Sequence, residues 1–228
     1  MKIAVIAAMD KEVALLKGLM EDLRESSDDG GVCYEGRISG HDVVLTKCGI
    51  GKVNSALKTY KLVQRWHPEV VINSGVAGGA DSCAPIGTTL IADGVGYHDV
   101  WCGPGTVPGQ VDGYPAIFKP YPRGMGIAEE IKRGDSGVQI GTIASGDSFI
   151  TTPEEIRKIK EIYPTAMACD MESASIAHAC AECGVPFMVV RVVSDMPGGD
   201  DNVKDYTDFW KTAPTKTFET LKSLLAKL

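Results

Sequence analysis

Unbroken apolar runs alternate along this chain with stretches whose apolar residues recur at helical spacing. The first run, Ile3 to Met9, follows a single lysine and is closed at once by charges, so it reads as a buried strand rather than a targeting segment. Behind it Val13, Leu16, Met20 and Leu23, widened by Leu15 and Leu19, predict a helix. Residues 32–38 and 42–47 predict a hairpin turned at Ser39-Gly40-His41, and residues 52–66 a helix stopped by Pro68. Val70 to Asn73 reads as a short buried strand running into a glycine-rich turn, Ser74-Gly75-Val76-Ala77-Gly78-Gly79. Thr88 to Ala92, Gln139 to Ala144 and Val185 to Val193 read as further strands. A helix begins near Pro153, since proline favours the first helical position. Tyr206, Trp210, Ala213, Thr217, Leu221, Leu224 and Leu228 mark a long amphipathic closing helix.

Strands alternating with helices predict an α/β fold with a largely parallel sheet. No linker or repeat divides the 228 residues, so one domain over 1–228 is expected. Between Gly103 and Gly126, eleven of 24 residues are Gly or Pro, which predicts a long irregular loop. Trp101, Tyr114, Phe118 and Tyr121 in or beside it imply that the loop packs on something.

Composition narrows the function classes. Apolar residues at 44% supply a real core, and 30 acidic against 23 basic residues give a net charge of −7. That balance argues against a nucleic-acid surface. No apolar run reaches the roughly 18 residues of a membrane span. Seven scattered cysteines read as reduced thiols in a cytoplasm. Cys180-Ala-Glu-Cys183 lacks a second pair for zinc and falls late in a predicted helix, where a redox motif wants a helix start. No metal-binding pattern stands out, so neither metal nor cofactor is expected.

Ligands of open α/β sheets bind at the carboxyl ends of strands. Four of five such ends here carry carboxylates: Asp10 and Glu12, Asp147, Asp170 and Glu172, and Asp195. Arg191 interrupts an apolar strand, and a buried guanidinium requires an anionic partner. Alternation puts Arg191, Val193 and Asp195 on one face, either as part of a site or as an ion pair that only fixes the fold. Glu12 and Glu172 stand in the first turns of predicted helices, a preference of acids in general but also a way to orient a carboxylate. Phe149 follows Ser-Gly-Asp-Ser at a strand end, where it either stacks on a base or packs in the core. His98 reads as a hydrogen-bonded structural residue.

The segments MKIAVIAAMDKEV (1–13), CGIGKVNSA (48–56), NSGVAGG (73–79), YHD (97–99), SGDSFI (145–150), DMESASIAH (170–178) and VPFMVVRVVSD (185–195) keep an order that resembles the nucleoside phosphorylase and nucleosidase superfamily. Within it they are most similar to the bacterial 5′-methylthioadenosine/S-adenosylhomocysteine nucleosidases. The resemblance implies a three-layer α/β/α sandwich around a mixed, partly closed central sheet. It implies a homodimer in which the loop around 100–118 lies near the neighbouring site, and a place in methionine salvage. It also implies hydrolysis of an adenine N-glycosidic bond. By motif, Glu12 resembles the base that activates water, Asp195 the acid that protonates adenine N7, Glu172 the acceptor of the ribose hydroxyls and Arg191 the cation beside the water. Phe149 and Ile150 resemble the adenine platform and edge contact; Met9, Ile50 and Met171 resemble the ribose and thioalkyl pocket. Val76, Ala77, Gly78 and Ser194 fall in the same motifs. Three positions depart from the family: Asp170 stands where Glu is frequent, Val76 where many members have Ser, and Val100-Trp101 where a second Asp follows the YHD motif.

The choice of nucleophile also follows from charge. A phosphorylase must hold a dianion with cations or backbone amides, whereas Met9-Asp10-Lys11-Glu12 presents carboxylates, with Lys11 directed away from Glu12. Water is therefore the expected nucleophile. The alternatives are a purine nucleoside phosphorylase, a hydrolase of another purine nucleoside such as futalosine or adenosine, or a nucleoside-binding protein without catalysis.

Overall fold

The computed structural model describes residues 1–28, 31–199, 202–212 and 216–228. In chain order its elements are β1 (Lys2–Ala7), α1 (Asp10–Lys17), β2 (Glu21–Asp28), β3 (Gly31–Ile38), β4 (His41–Lys47), α2 (Lys52–Trp66), β5 (Val70–Gly79), β6 (Thr89–Tyr97), α3 (Pro122–Gly134), β7 (Val138–Ser145), α4 (Pro153–Ile162), β8 (Ala166–Asp170), α5 (Ser173–Cys183), β9 (Phe187–Asp195), α6 (Asn202–Thr212) and α7 (Lys216–Lys227). The strands form one sheet in the order β2-β3-β4-β1-β5-β8-β7-β6-β9. Because β9 also pairs with β5, the strands β5, β8, β7, β6 and β9 close on themselves, and β1 to β4 extend from that ring as an open wing. Pairing is mixed: β1 runs parallel to β4 and β5, while β2, β3 and β4 form an antiparallel meander.

The unbroken apolar runs follow from burial of both sheet faces. Ile3, Val5 and Ala7 of β1 join a core with Val13 and Leu16 of α1 and Leu221, Leu224 and Leu225 of α7. Ala4 and Ile6 join a second core with Leu62 and Val63 of α2 and Ile176, Ala177 and Cys180 of α5. A strand covered on both faces needs apolar residues at every position, not at alternate ones. The result is a three-layer α/β/α sandwich around a mixed, partly closed sheet.

Several boundaries differ from the sequence reading. The first helix ends at Lys17, and Leu23 belongs to β2, where the polar stretch Glu21–Asp28 is held by pairing with β3 rather than by its own pattern. The glycine-rich segment 74–79 is no turn: it continues β5, paired to β9 and β8. The irregular loop stops at Tyr121, since Pro122 opens α3 instead of breaking one. Where the sequence reading has one closing helix, two elements are described, α6 and α7, and residues 213–215 lie outside the described residues. Ala213 and the side chain of Thr217 lie outside the described residues. The hairpin turn is as read, with Ser39 at φ 50° and Gly40 at φ 83°, the pair of positive angles that a two-residue turn requires.

The 103–121 loop packs as its aromatics imply. Tyr114 and Phe118 lie 4.0 and 5.4 Å from the His178 ring of α5, and the Tyr163 hydroxyl donates to the Ala116 carbonyl at 2.9 Å. Trp101 is 64% exposed and takes no part in that packing.

Ile72 is fully buried at the middle of β5, between β1 and β9. Ile72→Ala should lower the unfolding free energy by about 2–5 kcal/mol, read from the midpoint of urea unfolding at unchanged slope.

Candidate active site

Glu12 sits in the first turn of α1, directly after β1, and is fully buried. Its Oε2 accepts the backbone N–H groups of Ala8 (2.8 Å) and Met9 (2.9 Å), and Oε1 that of Val76 (3.0 Å). Three amides from two strand ends thus fix the carboxylate in one orientation. Burial raises its pKa; Arg191 and the three amides oppose that rise.

Arg191 is 1% exposed in the middle of β9. Its Nη2 lies 2.6 Å from Asp170 Oδ2 and 3.1 Å from Glu172 Oε2. These two acids, not Asp195, are its ion-pair partners. Burial by itself would lower the arginine's pKa, but Asp170, Glu172 and Glu12 outweigh it and hold the cation charged. Asp170 is in turn bound by the Ser145 hydroxyl at 2.5 Å and by the Ser173 hydroxyl. Gly75 explains how Arg191 and Glu12 approach each other across β5. A Cβ at that position would collide with both Arg191 Nη1 and Glu12 Oε1.

Glu172, the N-cap of α5, accepts the Gly51 N–H at 3.0 Å through Oε1 and faces Arg191 through Oε2. Burial raises its pKa against the pull of Arg191, and the nearby Asp170 charge adds to the rise. Asp195, at the end of β9, is 2% exposed and accepts the Ser194 hydroxyl at 2.6 Å. Burial raises its pKa too, and Asp205 pushes the same way against that hydrogen bond. Strict alternation along β9 does not survive to this end. Ala77 pairs with Val193 and Gly78 with Asp195, so Ser194 is one residue too many. The bulge turns both Ser194 and Asp195 to the cleft and leaves Val193 off it.

These groups line one cleft. Its apolar wall is built from Met9, Ile50, Val76, Ala77, Gly78, Phe149, Ile150 and Met171, so every residue to which the resemblance gives a catalytic or binding role reaches the cleft, as do Val76, Ala77, Gly78 and Ser194 from its motifs. Asp10 and Asp147, two of the strand-end carboxylates, do not. Asp10 pairs with Lys47 at 2.9 Å on the surface, and Asp147 turns to the start of α2. Lys11 lies over the Trp210 ring at 5.4 Å. His98 lies outside the cleft lining, its Nε2 buried without a partner and its ring lying against Gly146.

Tyr206 and Cys169 also line the cleft and were given no role, and Asp170, read only as a strand-end carboxylate and a departure from the family, lines it too. Tyr206 of α6 packs edge-on to Phe149 at 5.6 Å, and its hydroxyl lies 3.3 Å from Met9 Sδ. Nothing in the helical spacing of α6 distinguishes a cleft-facing residue from a core-facing one. Asp170 had a signal, namely that a buried arginine two strands away required an acid. The Cys169 thiol is buried 3.6 Å from the Gly78 carbonyl, and burial, with Asp195 and Asp170 adding, pushes it well above the usual thiol range.

Four carboxyl groups and one arginine therefore face a cleft with an aromatic floor, and Arg191 is the one Lys or Arg side chain among its lining residues. Such a site favours cationic charge developing on a ligand, and offers orientated carboxyl groups whose proton affinity burial raises at Glu12, Glu172 and Asp195.

The family model of the phosphorylase superfamily matches residues 2–226, and the chain belongs to that superfamily. Among its relatives, the 5′-methylthioadenosine/S-adenosylhomocysteine nucleosidase of Actinobacillus succinogenes is 39% identical over 230 residues, covering 100% of both chains. Among solved structures, the S-adenosylhomocysteine nucleosidase of Streptococcus pyogenes in complex with 5-methylthiotubericidin superposes with a TM-score of 0.94 at 34% identity, over 100% of this chain and 97% of that one. The 5′-methylthioadenosine/S-adenosylhomocysteine nucleosidase of Neisseria meningitidis in complex with methylthio-immucillin-A gives 0.93 at 33%, over 100% and 99%.

The raised pKa of Asp195 has a consequence for stability. The folded state keeps this proton to higher pH than the unfolded chain, whose group titrates near 3.8. Its contribution is complete below that value and is lost as pH rises through the folded pKa. Asp195→Asn removes this loss. Its melting temperature relative to wild type should therefore climb as pH is raised from 4 towards neutrality; a difference that stays flat or falls would contradict the assignment.

Proposed function

We propose that this chain hydrolyses the N-glycosidic bond of 5′-methylthioadenosine and S-adenosylhomocysteine, releasing adenine and a 5′-thio-substituted ribose. One observation carries the choice of water over phosphate. The cleft's lone cation, Arg191, is already neutralised by Asp170 and Glu172, so a phosphate dianion would meet uncompensated negative charge. The activity named for the relatives supports the substrate.

In this reading Glu12 is the general base. Its amide contacts aim the carboxylate, and burial raises its affinity for a proton, which strengthens a base. Asp195, whose proton affinity burial raises, donates to N7 and makes adenine a neutral leaving group. Phe149 stacks beneath the base and Ile150 meets its edge. Glu172, fixed by Gly51 and Arg191, accepts from the ribose hydroxyls. As the bond breaks, the sugar gains oxocarbenium character, and the surrounding carboxylates stabilise that charge more than they stabilise the neutral substrate. Acid and base on opposite sides of the bond, with water between, correspond to the inverting scheme of glycoside hydrolysis. Met9, Ile50, Met171 and Tyr206 form the wall for the ribose and its 5′ substituent.

The reading extends to a homodimer. Val53, Leu57 and Tyr60 are 68%, 58% and 52% exposed on one face of α2, next to the cleft residue Ile50, which is 50% exposed. A second copy placed there would bring its 100–118 loop towards the mouth of this cleft. No helix among the described residues is long and apolar enough to cross a membrane. A cytoplasmic place in methionine salvage completes the proposal.

Purified protein should release adenine from methylthioadenosine in phosphate-free buffer, followed by the ultraviolet change on base release. A requirement for phosphate, with a sugar 1-phosphate as product, would reassign it to the phosphorylases. Glu12→Gln and Asp195→Asn should each lower kcat by about 10²–10⁴-fold with the fold intact by circular dichroism. Leu57→Glu should convert a dimer into a monomer in size-exclusion chromatography with light scattering.

A further inference from the structure

Three segments meet at the edge of the cleft. They are the residues ending and following β6 (Tyr97-His98-Asp99), the start of α2 (Gly51-Lys52) and the turn after β7 (Gly146-Asp147). One oxygen of Asp99, Oδ2, accepts both the Asp147 backbone N–H at 2.8 Å and the Lys52 ammonium at 2.7 Å. Asp147 Oδ1 accepts the Lys52 backbone N–H at 2.7 Å, and its Oδ2 lies 3.9 Å from Lys52 Nζ. The His98 backbone N–H donates to the Ser145 carbonyl at 2.9 Å, and the His98 ring closes over Gly146, where any side chain would strike it.

Both ends of this knot run into the site. On one side Ile50 lines the cleft and the Gly51 N–H holds Glu172. On the other, Ser148, Phe149 and Ile150 form its aromatic wall. None of Asp99, Lys52 and Asp147 lines the cleft itself. We propose that Asp99, acting through Lys52 and Asp147, is a positioning residue that sets the spacing between the Glu172-binding amide and the Phe149 wall. The proposal rests on the nucleosidase reading given above. The Asp99 and Lys52 side chains are 26% and 23% exposed, and an ion pair that far in water adds little to global stability. What the knot contributes is geometry, since two of its three short bonds end on backbone N–H groups of the segments that carry the walls.

The test is steady-state kinetics with methylthioadenosine, adenine inhibition constants and melting temperatures for wild type, Asp99→Ala, Asp99→Asn, Lys52→Met and the Asp99→Ala/Lys52→Met double variant. Asp99→Ala should lower kcat/KM by about 10- to 100-fold, most of it as a rise in KM and in the adenine inhibition constant, with little change in melting temperature. Asp99→Asn, which keeps an acceptor for the Asp147 amide, should recover part of the loss. The double variant should be no worse than Asp99→Ala, because the two residues act as one unit. A folded Asp99→Ala with wild-type KM and adenine inhibition overturns the proposal. So does a loss that appears only as lower kcat in step with lower melting temperature. If Asp99→Ala does not fold, unchanged KM in both Asp99→Asn and Lys52→Met overturns it equally. Wild-type protein that releases no adenine would overturn the nucleosidase reading and the positioning role with it, whereas an active wild type beside an unaffected Asp99→Ala removes the positioning role alone.

Discussion

A guanidinium with 1% of its surface exposed is the constraint around which the molecule is arranged. Arg191 cannot stand in the middle of β9 without anions, and the fold supplies them from two places at once. Asp170 comes from the end of β8 and Glu172 from the cap of α5, with Glu12 beyond Gly75. Removing one partner from such a group leaves a buried charge uncompensated, typically a loss of about 3–5 kcal/mol. Glu12 is far in sequence from the neighbouring pair Asp170 and Glu172, so their convergence ties the start of the chain to its last strands. The same convergence generates the electrostatics of the cleft, because Glu12 and Glu172 are balanced closely enough to be buried and loosely enough to keep an elevated proton affinity.

The closed ring of β5, β8, β7, β6 and β9 makes this possible. An open sheet would spread its strand ends along a line. Closing five strands gathers the ends of β5, β8 and β9 around one point, with β1 delivering Glu12 from the adjoining wing. The extra residue at Ser194 then adjusts the last element, so that Ser194 and Asp195 both line the cleft while Val193 does not. In this arrangement Glu12 and Asp195 reach the cleft from different strands, Glu12 held by backbone amides and Asp195 by the Ser194 hydroxyl.

How much of this was legible in the sequence depended on whether the cause was local. Strands buried on both faces announced themselves as apolar runs, and the hairpin at Ser39-Gly40 carried its own turn chemistry. The acids at strand ends were legible because charges are conspicuous beside apolar segments. Elements held by distant partners were not. The polar strand Glu21–Asp28 exists because β3 pairs with it, and Gly75 to Gly79 looks like a turn until β9 lies alongside. The partners of Arg191 stayed open in the sequence for the same reason. Asp195 is near in sequence and on the expected face, but the bulge and the ring bring Asp170 and Glu172 closer. Tyr206 carried no local mark at all, since a tyrosine on an amphipathic helix looks the same whether it faces core or cleft.

The sulfur of Cys169 gives the cleft one more property. A cysteine in the wall of a binding site invites capture by an electrophile, yet this one is enclosed beside the Gly78 carbonyl and kept as a neutral thiol by burial and by two neighbouring acids. Attack on an electrophile requires the thiolate, so haloacetamides and maleimides of a size to enter the cleft would find a poor nucleophile there. Compounds meant to occupy this cleft gain more from cationic, sugar-like centres that match its surplus of negative charge than from reactive warheads.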